Sequence, residues 1–249
     1  MKIICRCVGG SRMYGLETPD SDEDFRGIFL NTNLGTILGL DRYEHQDLRA
    51  DGQDVFLWEF RHFLNSLRKT NTQSLELLFN EEWIIIEEEF KVIQKCKYQL
   101  LDSQKLHKSL IGYMYGEAKL ANGDRTGNMG SKRRNALEKY GFSPKNYSNL
   151  FRLAHCGIRF FEMGYFPTNI KRDMPELASE LLELKMFPER FDKNDLTLRY
   201  SDCILKVNQA FDKRNFDYKF DVDLANDLIL SSYFPILEQY HNLKGHRNV

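Results

Sequence analysis

Two aspartates lie two positions apart in the segment PDSDEDFRG, at Asp22 and Asp24. The residues that follow, FRGIFL, have the apolar character of a buried strand. Residues two apart in a strand project from the same face, which would bring the two carboxylates close together. Like charges at short range destabilise each other unless a cation lies between them. Carboxylate oxygens, with substrate phosphate completing the shell, are ligands that Mg²⁺ prefers.

A third acidic residue would complete a site for two metal ions. The best placed candidate is Asp54, because it opens the segment DVFLW, which we predict to be a strand beside the first two. Weaker candidates are Glu59, Asp47 and Glu44. The alternative for the acidic pair is a solvated sheet edge, although the apolar continuation of the segment favours burial.

A glycine turn precedes the acidic segment. The β-branched and apolar run KIICRCV stops at Gly9 and Gly10, and Ser11 follows. We predict a buried strand that enters a tight turn and then one helical turn. Such a turn leaves backbone N–H groups open to an anion, and phosphate above all, with Ser11 adding a hydroxyl donor. The alternative is an ordinary strand-to-helix turn.

Together these elements resemble the DNA polymerase β-like nucleotidyltransferase superfamily. More narrowly, GGSRMYGLETPDSDEDFRGIF is similar to the predicted nucleotidyltransferases associated with RNA repair gene clusters, with a G-S-R-x-Y-G stretch followed by T-P-x-S-D-x-D-x-R-G. The matched positions are Gly10, Ser11, Arg12, Tyr14, Gly15, Thr18, Pro19, Ser21, Asp22, Asp24, Arg26 and Gly27. Two later segments, DVFLWEFRHFLNSLRKTNTQSLELLF and KYGFSPKNYSNLFRLAHCGIRFFEMGYFP, also look like parts of that family.

The resemblance implies that a nucleoside monophosphate moves from a nucleoside triphosphate to a hydroxyl acceptor, with release of pyrophosphate. Asp22, Asp24 and Asp54 would be the catalytic residues and the ligands of two Mg²⁺ ions, with Mn²⁺ as a possible substitute. Gly10 and Ser11 would bind the β- and γ-phosphates. The favoured acceptor is an RNA end, while a protein hydroxyl or a small molecule fits the same donor chemistry.

Three other side chains of the matched segment have two interpretations each. Arg26 shares the face of the acidic pair by strand alternation, so it could contact phosphate or neutralise the acids when metal is absent. Arg12 could reach the triphosphate or the acceptor, or form a surface salt bridge. Tyr14 could pack in the interior or contact a sugar.

The segment SKRRNALEKYGFSPKNYSNLFRLAH mixes basic and aromatic residues. Within it, the resemblance points to Lys145 and Arg152, which match a K-x-x-x-x-x-x-R arrangement of the family. Seven residues make two helical turns, so both lie on one helix face. We expect them to bind the nucleotide in a cleft between two domains; the alternative is a solvated helix face. The histidines show no zinc-ligand spacing, so no zinc site is predicted.

The order of the patterns predicts an α+β fold. Residues 1–95 should form a polymerase β-like nucleotidyltransferase domain, with a mixed sheet and flanking helices. Its strands include a hairpin with a turn at Asp51 and Gly52 and a short strand over Trp83 to Ile86. Apolar residues recur at helical spacing from Phe60 onwards. Residues 96–249 should form a helical bundle that closes the nucleotide and acceptor cleft, with a frayed end.

Composition narrows the function classes. The 249 residues carry a net charge of −1, which excludes a strongly basic surface that binds nucleic acid by bulk electrostatics. No apolar run approaches the ~20 residues of a membrane helix and the first residues do not look like a signal peptide, so we expect a cytoplasmic protein without membrane contact. Five scattered cysteines predict free thiols.

Two further functions compete with an active nucleotidyltransferase. A catalytically silent module could bind a nucleotide or an RNA end and act through a partner. A plain interaction protein could carry PDSDEDF as a solvated loop. The presence of Asp22, Asp24 and Asp54 favours activity, because a site that had lost catalysis would have no reason to keep acidic residues that repel one another. Neither the base of the triphosphate nor the oligomeric state can be predicted from the sequence.

Overall fold

One mixed sheet organises the N-terminal part of the protein. The computed structural model describes residues 1–42, 45–50, 53–124 and 130–245. The strands are β1 (Lys2–Val8), β2 (Glu23–Leu30), β3 (His45–Ala50), β4 (Gln53–Glu59) and β5 (Ile85–Ile86). They lie in the order β3-β4-β2-β1-β5, and only the β2–β4 pair among them is parallel. The α+β fold, with a mixed sheet followed by a helical region, is therefore confirmed.

The predicted hairpin is present as the antiparallel pair β3–β4. Its turn residues, Asp51 and Gly52, lie outside the described residues. The last strand, β5, is shorter than predicted: Trp83 lies before it, and only Ile85 and Ile86 pair with β1.

The helices of the first half are α1 (Gly10–Met13), α2 (Leu34–Ile37), α3 (Phe60–Arg68), α4 (Thr72–Phe79) and α5 (Glu88–Lys95). Helix α3 buries Phe60, Phe63, Leu64 and Leu67, the positions whose spacing predicted it. The side chain of Asn71 accepts a hydrogen bond from Gln73 N at the start of α4, which satisfies one of the donors that a helix N-terminus leaves unpaired. Both helices thus follow local sequence signals.

The later helices are α6 (Ser103–Asn122), α7 (Ser131–Tyr140), α8 (Pro144–Met163), α9 (Ile170–Asp173), α10 (Pro175–Met186), α11 (Lys193–Lys213) and α12 (Val222–Gly245). Helix α8 is the most buried of this region, and α10 and α11 pack against it. Aromatic side chains pack between these helices. For example, the ring of His107 in α6 stacks on that of Phe211 in α11, with the ring centroids 4.1 Å apart. No helix in the described ranges is long and apolar enough to cross a membrane.

The chain divides into two compact units that are interleaved along the sequence. Unit 1 comprises Met1–Gly10, Asp22–Ser103 and Tyr218–Val249; unit 2 comprises Ser11–Ser21 and Gln104–Asp217. The boundaries of these units differ from those of the predicted domains, 1–95 and 96–249. The separate roles of the predicted domains stay a prediction.

Helix α12 belongs to unit 1, a placement that the sequence did not reveal. The Tyr233 hydroxyl donates to Glu59 at the end of β4, and the Tyr240 hydroxyl donates to the Thr32 carbonyl at 2.7 Å. The rings of Tyr233 and Phe60 lie 6.4 Å apart. The helix therefore covers the start of α3 and the end of the sheet.

Candidate active site

The sheet places two of the three predicted catalytic aspartates opposite each other. In the parallel pair β2–β4, Asp24 is the register partner of Asp54. Directly opposed residues project from the same face of a sheet, so the third acid is positioned by backbone pairing. Asp24 is half-buried and Asp54 is exposed. Asp22 is exposed and lies one residue before β2 begins.

The glycine turn after β1 makes room for side chains of β2. The Gly9 N–H donates to the Asp24 carbonyl at 2.7 Å, and Gly10 has a φ of +58°. A Cβ placed on Gly10 would stand 1.9 Å from Asp24 Oδ2, and one placed on Gly9 would stand 2.9 Å from Arg26 Cγ. The two glycines therefore allow the Asp24 carboxylate and the Arg26 side chain to lie against the turn.

Arg26 forms an ion pair that the sequence did not predict. Its Nη1 lies 3.1 Å from Oε2 of Glu76 in α4, and the two side chains are 18% and 2% exposed. Glu76 is the single acid within the apolar run SLELLF, and that unusual position was the available signal. Arg26 is thus tied to an acid outside the predicted cluster, and its contact with phosphate stays a prediction.

Cys7 lies beside this ion pair as the register partner of Arg26 across β1 and β2. Burial raises the pKa of the Cys7 thiol to about 12, and the nearby Arg26 only partly offsets that effect. The thiol is neutral at ordinary pH, which makes it a packing residue. All five cysteines are free thiols, as predicted.

The weaker candidates for the third acid do not share the position of Asp54. Glu59 is buried, and its carboxylate accepts hydrogen bonds from His62 N at 3.1 Å, from Arg61 Nε at 2.9 Å and from the Tyr233 hydroxyl. Its oxygens cap α3 and join α12 to the sheet, so it has a structural role.

The other two weaker candidates lie on or near β3. Asp47 is exposed on β3 and pairs in register with Phe56 of β4. Glu44 lies outside the described residues. Asp54 is therefore the candidate that the register favours.

The donor chemistry at Asp24 and Asp54 fits Mg²⁺. Within the described ranges, no three His, Cys, Asp or Glu side chains converge closely enough to hold a metal ion by themselves. Mg²⁺ commonly binds through one or two carboxylates, keeps several waters and takes its remaining ligands from substrate phosphates. Two in-register carboxylates therefore suit an ion that arrives with a nucleotide.

The segment after Gly10 is bonded into unit 2. The Tyr14 carbonyl accepts hydrogen bonds from Ile170 N at 3.0 Å and Lys171 N at 3.3 Å. The Lys185 ammonium donates to the Leu16 carbonyl. Burial lowers the pKa of Lys185, and repulsion from Lys145 acts in the same direction. Lys185 was not predicted from the sequence.

The remaining predicted nucleotide ligands of unit 2 have different environments. Ser11 is half-buried, whereas Arg12 and Lys145 are exposed. Arg152 is 3% exposed, and its guanidinium carbon lies 3.7 Å from the ring centroid of Tyr14. Tyr14 is half-buried, and its ring stacks on the buried guanidinium of Arg152 within unit 2. A direct contact of Arg152 with nucleotide stays a prediction.

Comparison with known proteins identifies the family of the chain. The family model RlaP, described as the RNA repair pathway DNA polymerase beta family, matches residues 1–125. No curated protein matches the chain. The matched residues include both glycines of the turn, all three aspartates and Glu76, and they amount to half of the sequence. The chain belongs to the RNA repair pathway DNA polymerase beta family.

Proposed function

We propose that the protein is a metal-dependent nucleotidyltransferase that moves a nucleoside monophosphate from a nucleoside triphosphate to a hydroxyl acceptor. The observation that carries the proposal is the register of Asp24 with Asp54, with the Asp24 carboxylate lying against Gly10. Membership in a polymerase β family supports the reaction type, and the RNA repair description supports an RNA end as acceptor.

The reaction is a single displacement at phosphorus. The acceptor oxygen forms a bond to the α-phosphorus while the bond from that phosphorus to the β-bridging oxygen breaks. Pyrophosphate leaves with the electron pair, and the hydroxyl proton passes to the exposed Asp54 carboxylate and then to water. Catalysis depends on positioning and charge neutralisation, so the reaction does not require a covalent enzyme intermediate.

The three aspartates divide the metal sites between them in this proposal. Asp22 and Asp24 would hold an ion at the triphosphate, and Asp24 and Asp54 would hold a second ion near the acceptor. Bound Mg²⁺ or Mn²⁺ supplies positive charge for the phosphates and lowers the pKa of the attacking hydroxyl. The peptide N–H of Gly10 and the side chains of Ser11 and Arg12 would bind the β- and γ-phosphates.

A transfer assay tests the proposal. Purified protein receives each α-labelled triphosphate with Mg²⁺ or Mn²⁺ and a pool of small RNAs, and label is followed on RNA and on the protein itself. The Asp24→Asn variant should lose about a hundredfold or more in rate, because it removes a charge needed in the transition state. The Asp22→Ala/Asp24→Ala variant should be inactive.

Glu23→Gln is the matched control for Asp24→Asn. Glu23 is the neighbouring acid in β2 and projects from the opposite face, where it accepts a hydrogen bond from Gln53 at 2.7 Å. This variant should keep the parent rate. Equal rates for parent and Asp24→Asn would refute the proposal.

The same samples separate the other two functions. If no label moves but a triphosphate with Mg²⁺ raises the melting temperature of the parent, the protein is a nucleotide sensor. If the triphosphate does not change the melting temperature, the protein is an interaction module.

A further inference from the structure

Both the backbone and the ring of Tyr14 contact other residues of unit 2. Its carbonyl accepts two hydrogen bonds from the start of α9, at Ile170 and Lys171. Its ring faces the guanidinium of Arg152 on α8 at 3.7 Å. We call Tyr14, Arg152 and the Ile170 N–H the Tyr14 clamp. The clamp fixes the middle of the segment 11–21, which carries the predicted phosphate-binding residues Ser11 and Arg12.

The residue after Tyr14 is suited to this close approach. Gly15 has a φ of +65°, and a Cβ there would stand 2.6 Å from Lys171 Cβ. Only glycine combines that backbone conformation with that distance from α9. One residue further on, the Leu16 carbonyl accepts from Lys185 of α10. Three successive residues of the segment thus contact helices of unit 2.

Arg152 is built into this arrangement as a buried cation. It is 3% exposed, and its Nη2 donates to Asn149 Oδ1 at 2.8 Å. Stacking on an aromatic face stabilises a cation more strongly when both are shielded from water. The enclosed side chain contacts both Tyr14 and Asn149, so the structure links it directly to the segment that carries Ser11 and Arg12.

We propose that Arg152 is a positioning residue for nucleotide binding, which acts by fixing Tyr14 and thereby the backbone of Ser11 and Arg12. The proposal deepens the proposed function and rests on it. It is an alternative to the expectation that Arg152 touches the nucleotide. If Arg152 acts through Tyr14, the two residues are energetically coupled. Removal of either one should then weaken nucleotide binding nearly as much as removal of both.

The test uses the full chain and two independent measurements. Hydrogen exchange of the segment 11–21 is measured without nucleotide, for the parent and for Arg152→Met, Tyr14→Leu and the double variant. Affinity for ATP with Mg²⁺ is measured on the same proteins. Each single variant should exchange faster in this segment and bind about tenfold more weakly, and the double variant should lose no more than the singles.

Two control variants accompany the test. Arg159→Met removes an exposed arginine two turns further along α8, whose Nη1 donates to Met163 Sδ, and should change neither measurement. Tyr14→Phe keeps the ring and should retain most of the parent's affinity. If Arg152→Met fails to fold, the comparison of Tyr14→Leu with Tyr14→Phe still tests the clamp, and equal exchange and affinity in these two variants would refute it.

Each other outcome overturns the proposal in its own way. Weaker binding in Arg152→Met with unchanged exchange, or additive losses in the double variant, would make Arg152 a direct ligand. Faster hydrogen exchange of the segment 11–21 with unchanged affinity for ATP would show that the Tyr14 clamp stabilises the segment but does not position it for nucleotide binding. If the parent itself binds no nucleotide, the proposed function fails and the positioning role falls with it, whereas the exchange data still report on the clamp.

Discussion

The carboxylate of Asp24 occupies the space that a side chain on Gly10 would need, since a Cβ there would lie 1.9 Å from Asp24 Oδ2. Gly10→Ala should therefore displace Asp24 and lower the transfer rate about as much as Asp24→Asn does. It should also lose about 1 to 2 kcal/mol of stability, because alanine is strained at a positive φ. Transfer rates and urea denaturation measure the two effects.

Gly39→Ala is the control that separates the steric clash with Asp24 from the backbone strain of alanine at a positive φ. Gly39 has a φ of +84°, and nothing lies within 4 Å of an added Cβ. This variant should show the stability loss and keep the parent's transfer rate. A normal rate in Gly10→Ala would show that the position of Asp24 does not limit the reaction.

The ion pair of Arg26 with Glu76 predicts a large stability effect. Glu76→Gln leaves the guanidinium beside a neutral amide in the interior, and loss of one partner of a buried pair costs about 3 kcal/mol or more. Equilibrium unfolding in urea measures the change. Glu88→Gln, which breaks an exposed pair with Lys91, is the control and should unfold at nearly the parent's urea concentration. Equal midpoints for both variants would contradict this account.

Tyr233 should make stability depend on alkaline pH. Burial raises the pKa of its hydroxyl above the ordinary value, and the hydrogen bond to Glu59 acts in the same direction. Above about pH 10 the unfolded chain loses this proton while the folded protein keeps it, so stability falls as pH rises. Tyr233→Phe should lower stability at pH 7 by about 1 to 3 kcal/mol and flatten the alkaline slope. A parallel slope in both proteins would exclude Tyr233 as its source.

The cysteines should differ in reactivity. Burial raises the pKa of Cys7 to about 12 and that of Cys203 to about 11, so both are almost entirely neutral thiols at pH 8. Cys96 is only half-buried, and we expect iodoacetamide to modify it first in the native protein. Peptide mass spectrometry locates the label, and the same reaction in urea should modify all five. Early labelling of Cys7 would mean that β1 opens readily.

Local patterns predicted the strands that carry the acidic residues. Strand alternation predicted Asp22 and Asp24 on one face, but Asp22 lies one residue before β2; the strand that begins near Asp54 was recognisable from its apolar run. The parallel register of β2 with β4 then turned the prediction about Asp54 into an observed backbone relationship. The glycines were also identified, although for phosphate access rather than for the room that Asp24 and Arg26 require.

The long-range partners could not be predicted in this way. Arg26 and Glu76 are 50 residues apart, and Glu59 and Tyr233 are 174 apart. Periodicity indicates which face of an element is buried, but it does not identify the residue that meets that face. Arg152 illustrates the limit: an arginine in a basic segment usually lies in solvent, but this one is buried and stacks on the ring of Tyr14, which is distant in the sequence.

The interleaving of the two units has a consequence for biosynthesis. The strands of unit 1 are made early, but α12, which supplies Tyr233 to Glu59 and covers Phe60, is the final described helix. On the ribosome, the α3 side of the sheet therefore stays uncovered while Gln104–Asp217, the larger part of unit 2, is synthesised. The nascent chain exposes apolar surface during that interval, which is the condition under which chaperones are recruited.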